Sequence, residues 1–245
     1  MSNKIIKIDQ VLASAIELPL VKIDRDSYLR RELAGYAHQD VIEVAIVEGI
    51  SAADIPDDII ELIAGKAILL ETKKVTALSA IAGIPGGLAM VATVPTDMSQ
   101  FVGHQLRIMQ KLMYLYGWDD MFKDGQMDDE TKNLIIVMFG TMFGVKAANK
   151  IIFKAAEGFS CVAAKQIASK ALTKTFYYPI IKKIASAVGA KMTKDIFAKG
   201  VSKLIPVAGA AASGGLTLVT FYPMCKKLER HLQMFNQKTQ CFAPR

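Results

Sequence analysis

The sequence predicts an all-α protein, a single helical bundle domain with two apolar, glycine-rich helical hairpins. Three observations lead to this prediction. Ala, Leu, Ile, Lys and Met dominate, no alternating strand pattern of useful length occurs, and Pro and Gly gather at a few positions typical of turns. With 245 residues, 52% hydrophobic and 22% charged, the chain is long and apolar enough to fold around a core without disulfides or metals.

The N-terminal region contains local signals for helix ends. Asp24 or Asp26 is placed to cap a helix that runs on through Leu33. Gly49 and Pro56 then mark breaks, because glycine suits a left-handed backbone and proline interrupts a helix. The sequence thus predicts helices that are separated at these two positions.

Two segments of 22 residues carry no charge, Val75–Thr96 and Leu204–Cys225. A helix of that length is about 33 Å long, enough to cross the roughly 30 Å hydrocarbon core of a bilayer. Glycines and prolines within the segments argue against a single span. We expect two short helices joined at Pro85–Gly87, and a similar hairpin at Gly209–Gly215. These helices are either the buried centre of the bundle or hairpins that insert into a membrane.

A helix with a polar face is predicted over Met98–Tyr116. Its apolar residues form a broad stripe, and polar residues recur on the other side at spacings of four, three and four. The polar residues are Gln100, His104, Arg107 and Lys111. Gly117 is expected to end this helix, since glycine commonly follows the last helical residue.

Asp97 is the lone acid among residues 75 to 106. We expect it to cap this helix or lie in its first turn, where a carboxylate is favourable. The alternative is a structural ion pair with Arg107, which requires a bend in the chain between the two. Further along, Asp128 is the expected N-cap of the helix that follows an acidic linker.

The formal net charge of +7 conceals two halves of opposite sign. Residues 1–130 contain 12 Lys and Arg against 20 Asp and Glu, whereas residues 131–245 contain 18 against 3. Lys146–Lys203 holds 12 lysines and no arginine. It is either a solvated face of amphipathic helices or a surface that attracts anionic lipid headgroups. Nucleic acid is not expected as a partner, because arginine, the usual reader of guanine, is missing there.

Motifs for catalysis and metal binding are missing from the sequence. It contains no phosphate-binding glycine loop, no dinucleotide fingerprint, no His-Glu-x-x-His and no complete Gly-x-Ser-x-Gly. The three histidines are scattered without the spacing of a metal site. Three cysteines without a Cys-x-x-Cys pair indicate reduced thiols in an intracellular protein. We expect a non-enzymatic protein with no cofactor and no metal.

Several of these motifs together resemble the EcsC family of bacterial proteins. The matching stretches are Ala82–Gly87, Val94–Asp97, Gln105–Arg107, Tyr114–Trp118, Leu204–Gly209 and Gly214–Gly215. The resemblance covers roughly residues 70 to 235 and divides the chain into an N-terminal helical region (1–65), an EcsC-like core (66–235) and a C-terminal tail (236–245). It implies a helical protein at the cytoplasmic membrane, often encoded near an ATP-binding-cassette transporter, with an accessory role to a transporter or secretion system. It implies no catalytic residue.

Cations bracket the uncharged segments, as suits helices at a headgroup boundary. Lys73 and Lys74 precede the first segment, Lys199 and Lys203 precede the second, and Lys226, Lys227 and Arg230 follow it. We therefore predict a helical protein that binds anionic lipids and associates with, or partly inserts into, the inner face of the cell membrane. Two alternatives stay open: a soluble protein that encloses an apolar ligand or lipid, and a pore-forming effector.

Specific residues are expected at the membrane. They are Pro85, Gly86, Gly87, Lys146, Lys150, Lys154, Lys182, Lys183, Gly214 and Gly215. Structural polar roles are expected for Asp97 and Arg107.

Overall fold

The helices of the protein follow one another with short connections. The structure, a computed structural model, describes residues 8–18, 21–82, 90–122, 126–157, 165, 178–202 and 206–240. These residues form nine α-helices and no β-strand, so the predicted all-α class is confirmed. In chain order the helices are α1 (Ile8–Ile16), α2 (Arg25–Leu33), α3 (Gln39–Val47), α4 (Asp57–Ala82), α5 (Met90–Leu115), α6 (Asp129–Met142), α7 (Lys146–Ala156), α8 (Tyr178–Ser202) and α9 (Pro206–Gln240).

Several helix ends form where the sequence predicts them. The Asp24 carboxylate accepts a hydrogen bond from the backbone N–H of Ser27, and hydrogen bonds from the Ser27 side chain and backbone lower the Asp24 pKa. Asp128 caps α6 in the same way. Gly49 and Gly117 both have positive φ, at 100° and 74°, and they lie just after α3 and α5. The predictions for these four residues are confirmed.

Helix α5 lies at the centre of the bundle and contacts α1, α2, α4, α8 and α9. Every residue from Lys111 to Tyr116 is buried, so the predicted polar face reaches solvent only in the first part of the helix. α5 begins at Met90, which places Asp97 in its interior. The prediction that Asp97 is an N-cap or first-turn acid was wrong, because the helix starts well before Pro95.

The N-terminal region belongs to the same core. The amide of Gln110 in α5 accepts a hydrogen bond from Ile23 N–H and donates one to the carbonyl of Val21. Tyr28 and Leu33 of α2 are fully buried. α4 also runs without interruption across the boundary drawn at residues 65 and 66.

Helices α4 and α9 pack against each other in antiparallel orientation. Glu61, near the start of α4, lines the same cavity as Gln233, near the end of α9. Further along α4, Glu71 lies near Cys225 of α9. Burial is the main cause of the raised pKa of the Cys225 thiol, and the charge of Glu71 raises it further. α9 is continuous from Pro206 to Gln240, so the hairpin predicted at Gly209–Gly215 was wrong. Pro206 at the helix start is compatible with helical backbone, and the glycines after it do not end the helix.

Candidate functional site: a buried carboxylate and an apolar tip

Glu71 is a fully buried carboxylate in the middle of α4. It lies on the face of α4 that also carries Ile60, Ala64, Ile68 and Val75, all buried. A buried ionised group is unfavourable unless it is paired, so the neighbouring helix must supply cations.

Four side chains that can carry positive charge surround this carboxylate. Lys111 Nζ lies 2.7 Å from Oε1, and His104 Nδ1 lies 2.9 Å from Oε2. Arg107 Nε is 3.4 Å from Oε1, and Lys74 Nζ is 3.8 Å from the same oxygen. Three of the four side chains come from one stripe of α5, so the cluster ties α4 to α5.

The cations keep Glu71 ionised. Burial favours a raised pKa, but hydrogen bonds from His104 and Lys111 and the charges of Lys111 and Arg107 together lower the Glu71 pKa to about 2. For Lys111, burial lowers the pKa, and the Glu71 carboxylate opposes that shift. The pair is therefore a charged contact inside the protein at neutral pH.

The predicted role of Arg107 is partly corrected. Arg107 has a structural polar contact, but its partner is Glu71 on a different helix. Asp97 lies ten residues earlier on the same continuous α5, about 15 Å along the axis, so the bend that an ion pair between them requires does not form. The Asp97 side chain lies outside the part of the structure that is described.

Sequence reasoning missed Glu71, although the sequence contains its signal. Between Glu61 and Asp97 it is the lone acid, and it falls on the apolar stripe of α4. An acid in that position predicts a cationic partner on a facing helix. The stripe of His104, Arg107 and Lys111, spaced three and four apart, is that partner.

The last turns of α4 and the middle of α9 expose large apolar side chains. Because α4 and α9 are antiparallel, Leu78, seven positions after Glu71, and Leu218, seven positions before Cys225, lie at the same level of the bundle, and α9 continues beyond this level to Pro206. We call this group the apolar tip; its members, with exposed fractions of 41% to 69%, are Leu78, Leu218, Val219 and Tyr222. Leu62, Leu69 and Leu70, on the other side of Lys73 and Lys74 along α4, are also exposed.

Cations follow the apolar tip along both helices, about one to two turns further into the bundle. We call them the cationic belt; they are Lys73, Lys74, Lys226, Lys227 and Arg230. All but Lys226 are exposed, and Lys226 pairs with the buried carboxylate of Glu229. The tip and the belt thus give the molecule an apolar surface that is bordered by positive charge.

The lysines predicted at the membrane lie in two places. All five are exposed: Lys146, Lys150, Lys154, Lys182 and Lys183. Lys146 follows directly after Gly144 and Val145, and Gly144 lies beside Lys227 Nζ, so it is near the belt. α7 then runs toward the far end, where Phe153 stacks on Phe235, and this direction carries Lys154 away from the belt.

Helix α8 carries Lys182 and Lys183 away from the apolar tip as well. Lys191 Nζ donates to the carbonyl of Phe143, beside the belt. Lys183 lies eight residues earlier on α8, about 12 Å along the axis and toward the far end. The structure therefore does not bring these two lysines to the same surface as the apolar tip.

Only some of the proline and glycine positions predicted at the membrane lie within the described residues. Pro85, Gly86 and Gly87 lie outside the described residues. Gly214 and Gly215 lie inside α9, one turn before Leu218, and Gly215 is exposed.

A separate cleft of about 450 Å³ lies beside the end of α5. Its lining is mostly polar and includes Asp24, Asp119 and Asp120. Asp24 is engaged as a helix cap, and Asp120 accepts a hydrogen bond from the Tyr114 hydroxyl. Across the described residues, no three His, Cys, Asp or Glu side chains are grouped as a metal site would require.

Comparisons with known proteins give no relative for this chain. No family model, no curated protein and no solved structure matches it. The resemblance to the EcsC family therefore stays a prediction. Within the described part of the chain, no helix has the length and apolar character needed to cross a membrane.

Proposed function

We propose that the protein is a non-enzymatic, peripheral membrane protein that inserts its apolar tip into the surface of an anionic bilayer at the cytoplasmic face. The observation that supports this most is the order of residues along α4 and α9. Cations follow within one to two turns of the exposed Leu78 on α4 and of the exposed Leu218, Val219 and Tyr222 on α9. Side chains in that order match the passage from acyl chains to headgroups at a membrane interface.

The expected free-energy contributions of the cationic belt and the apolar tip favour reversible binding to the membrane. Each Lys or Arg near an anionic surface contributes about 1 kcal/mol at physiological salt, and full burial of one large apolar side chain contributes about 1.5 to 3 kcal/mol. The four tip residues are already about half buried in the fold, so each adds only part of that amount. A few belt cations and the tip together therefore support binding that depends on both anionic lipid and ionic strength.

Vesicle flotation tests this function. We expect the full chain to float with vesicles of phosphatidylcholine and phosphatidylglycerol at moderate salt, and to stay unbound with phosphatidylcholine alone. Val219→Glu introduces a charge at the apolar tip and is expected to abolish flotation.

Val47→Glu is the matched control. Val47 is 80% exposed and lines the cleft at the opposite end of the bundle, so the same change there should leave flotation intact. Equal binding by Val219→Glu and the unmodified protein would contradict insertion through this end, and so would failure of the unmodified protein to float with anionic vesicles.

A further inference from the structure

The Glu71 cluster contains more positive than negative charge. One carboxylate faces Lys111, Arg107 and Lys74, and His104 as well. Among the described residues, no second acid contacts any of these four side chains. Lys111 and His104 are hydrogen-bonded to Glu71 and lie inside the cluster. Arg107 and Lys74 form its outer side, with side chains 20% and 54% exposed.

The two outer cations, Arg107 and Lys74, have N–H groups that do not donate to Glu71. Arg107 uses Nε for Glu71, and its two terminal nitrogens have no partner in the described protein. Lys74 Nζ lies 3.8 Å from Oε1, beyond hydrogen-bond distance. Because both nitrogens approach the same oxygen, Lys74 Nζ and Arg107 Nε lie no more than about 7 Å apart. The two cations are therefore close neighbours, and a phosphate that accepts charge-assisted hydrogen bonds from Lys74 Nζ and from the terminal nitrogens of Arg107 would lie beside both.

The place of this pair in the fold indicates what the phosphate is attached to. Lys74 belongs to the cationic belt, and Leu78 of the apolar tip lies one turn further along α4. On α5 the direction toward the tip leads from Arg107 to Phe101, which packs against Phe221 of α9. A phosphate held between α4 and α5 therefore has the exposed Leu78 and the partly buried Phe101 on its tip side, where an acyl chain attached to it would lie.

We propose that Arg107 and Lys74, oriented by Glu71, form a binding site for the phosphate of a single anionic phospholipid. This inference rests on the proposed membrane function and adds a stereospecific site to it. Glu71 contacts Arg107 through Nε, so the two terminal nitrogens are available for a bidentate contact with a phosphate, which arginine can make and lysine cannot. Lys74 supplies the second charge.

A short-chain lipid that forms no bilayer distinguishes binding at this site from general electrostatic attraction to a membrane surface. Binding of dihexanoyl phosphatidylglycerol, below its micelle concentration, is measured by calorimetry on the full chain, with inorganic phosphate as a second ligand. We expect Lys74→Gln to weaken lipid binding about tenfold, the loss of one hydrogen bond to a charged group, and Arg107→Gln, which removes a bidentate contact, to weaken it by at least about tenfold. Inorganic phosphate should bind more weakly than the lipid, because it lacks the apolar contact.

Two variants act as controls for charge. Lys73→Gln removes the same charge from the neighbouring exposed position of α4 and is expected to leave short-chain lipid binding within twofold. Arg107→Lys keeps the charge, so it should float on anionic vesicles normally while still losing short-chain lipid affinity. Circular dichroism is used to check that each variant is folded. If Arg107→Gln does not fold, the lipid affinities of Arg107→Lys and Lys74→Gln test the site.

The possible results distinguish this proposal from the proposed function. Equal losses for Lys73→Gln and Lys74→Gln would overturn the site, because they indicate diffuse electrostatics. Inorganic phosphate binding as tightly as the lipid would overturn the lipid assignment. Short-chain lipid binding with the expected losses, in a protein that fails to float on anionic vesicles, would support the site and contradict membrane insertion.

Discussion

Lys111 Nζ lies 2.7 Å from Oε1 of Glu71, and the two side chains are almost completely buried at the contact between α4 and α5. Two charges removed from water gain little net stability from one another, because desolvation offsets their attraction. Loss of one partner has a much larger effect, since the other charge then stays buried without compensation. The pair therefore fixes how α4 and α5 align.

Glu71→Gln is expected to destabilise the protein by about 3 to 5 kcal/mol. Glutamine has nearly the same shape, so the change isolates the negative charge that Lys111, Arg107 and His104 require. Urea unfolding followed by circular dichroism measures the change. Glu43→Gln, which removes the carboxylate of the exposed pair with Arg30, should cost less than about 1 kcal/mol. Comparable losses in the two variants would contradict the assigned role of Glu71.

The effect of Glu71→Gln is also expected to depend on pH. The Glu71 pKa falls from 4.5 in the unfolded chain to about 2 in the fold, so its stabilising charge is fully present above pH 4.5. It is lost as the pH falls from 4.5 toward 2. The difference in unfolding free energy between the unmodified protein and the variant should therefore shrink over that interval. A difference that stays constant down to pH 2 would contradict the lowered pKa.

His231 makes the unfolding free energy depend on pH over a second interval, which lies at higher pH than the interval for Glu71. Burial, and to a smaller extent the charge of Lys238, lower its pKa from 6.5 to about 4. The unfolded chain therefore binds a proton more readily, and stability present above pH 6.5 is lost as the pH falls toward 4. The shift corresponds to about 3 kcal/mol.

His231→Phe should remove this loss. The ring lies 5.0 Å from Phe153, and both of its nitrogens are buried without hydrogen-bond partners among the described residues, so phenylalanine suits the site. We expect the unfolding free energy of the variant to change less between pH 6.5 and pH 4 than that of the unmodified protein. Parallel curves for the two proteins would be inconsistent with a buried neutral His231.

Local signals were enough to predict part of this fold. The caps at Asp24 and Asp128 and the positive φ of Gly117 depend on residues within a few positions of each other, and the sequence displays them directly. The Glu71 cluster depends on two helices aligned by long-range packing, so only the lone acid on an apolar stripe was visible. The continuous α9 was mispredicted because tertiary packing overrides local propensity, although glycine costs a helix interior about 1 kcal/mol and proline about 3 kcal/mol.

The contact of α6 with α7 and α8 depends on Gly140. A Cβ at this position would lie 2.6 Å from Ile184 Cγ2 and 2.7 Å from Ala148 Cβ, so the two neighbouring helices must move apart to accept it. We expect Gly140→Ala to destabilise the protein by about 1 to 3 kcal/mol.

Gly65→Ala is the matched control for Gly140→Ala. Gly65 lies within α4 with no atom inside 4 Å of its ideal Cβ position. The same methyl group there meets no obstacle and removes the helix penalty of glycine, so this variant should gain up to about 1 kcal/mol. Thermal melts of the two variants should thus shift in opposite directions. A higher melting temperature for Gly140→Ala would mean that α6 is not packed as closely as these distances require.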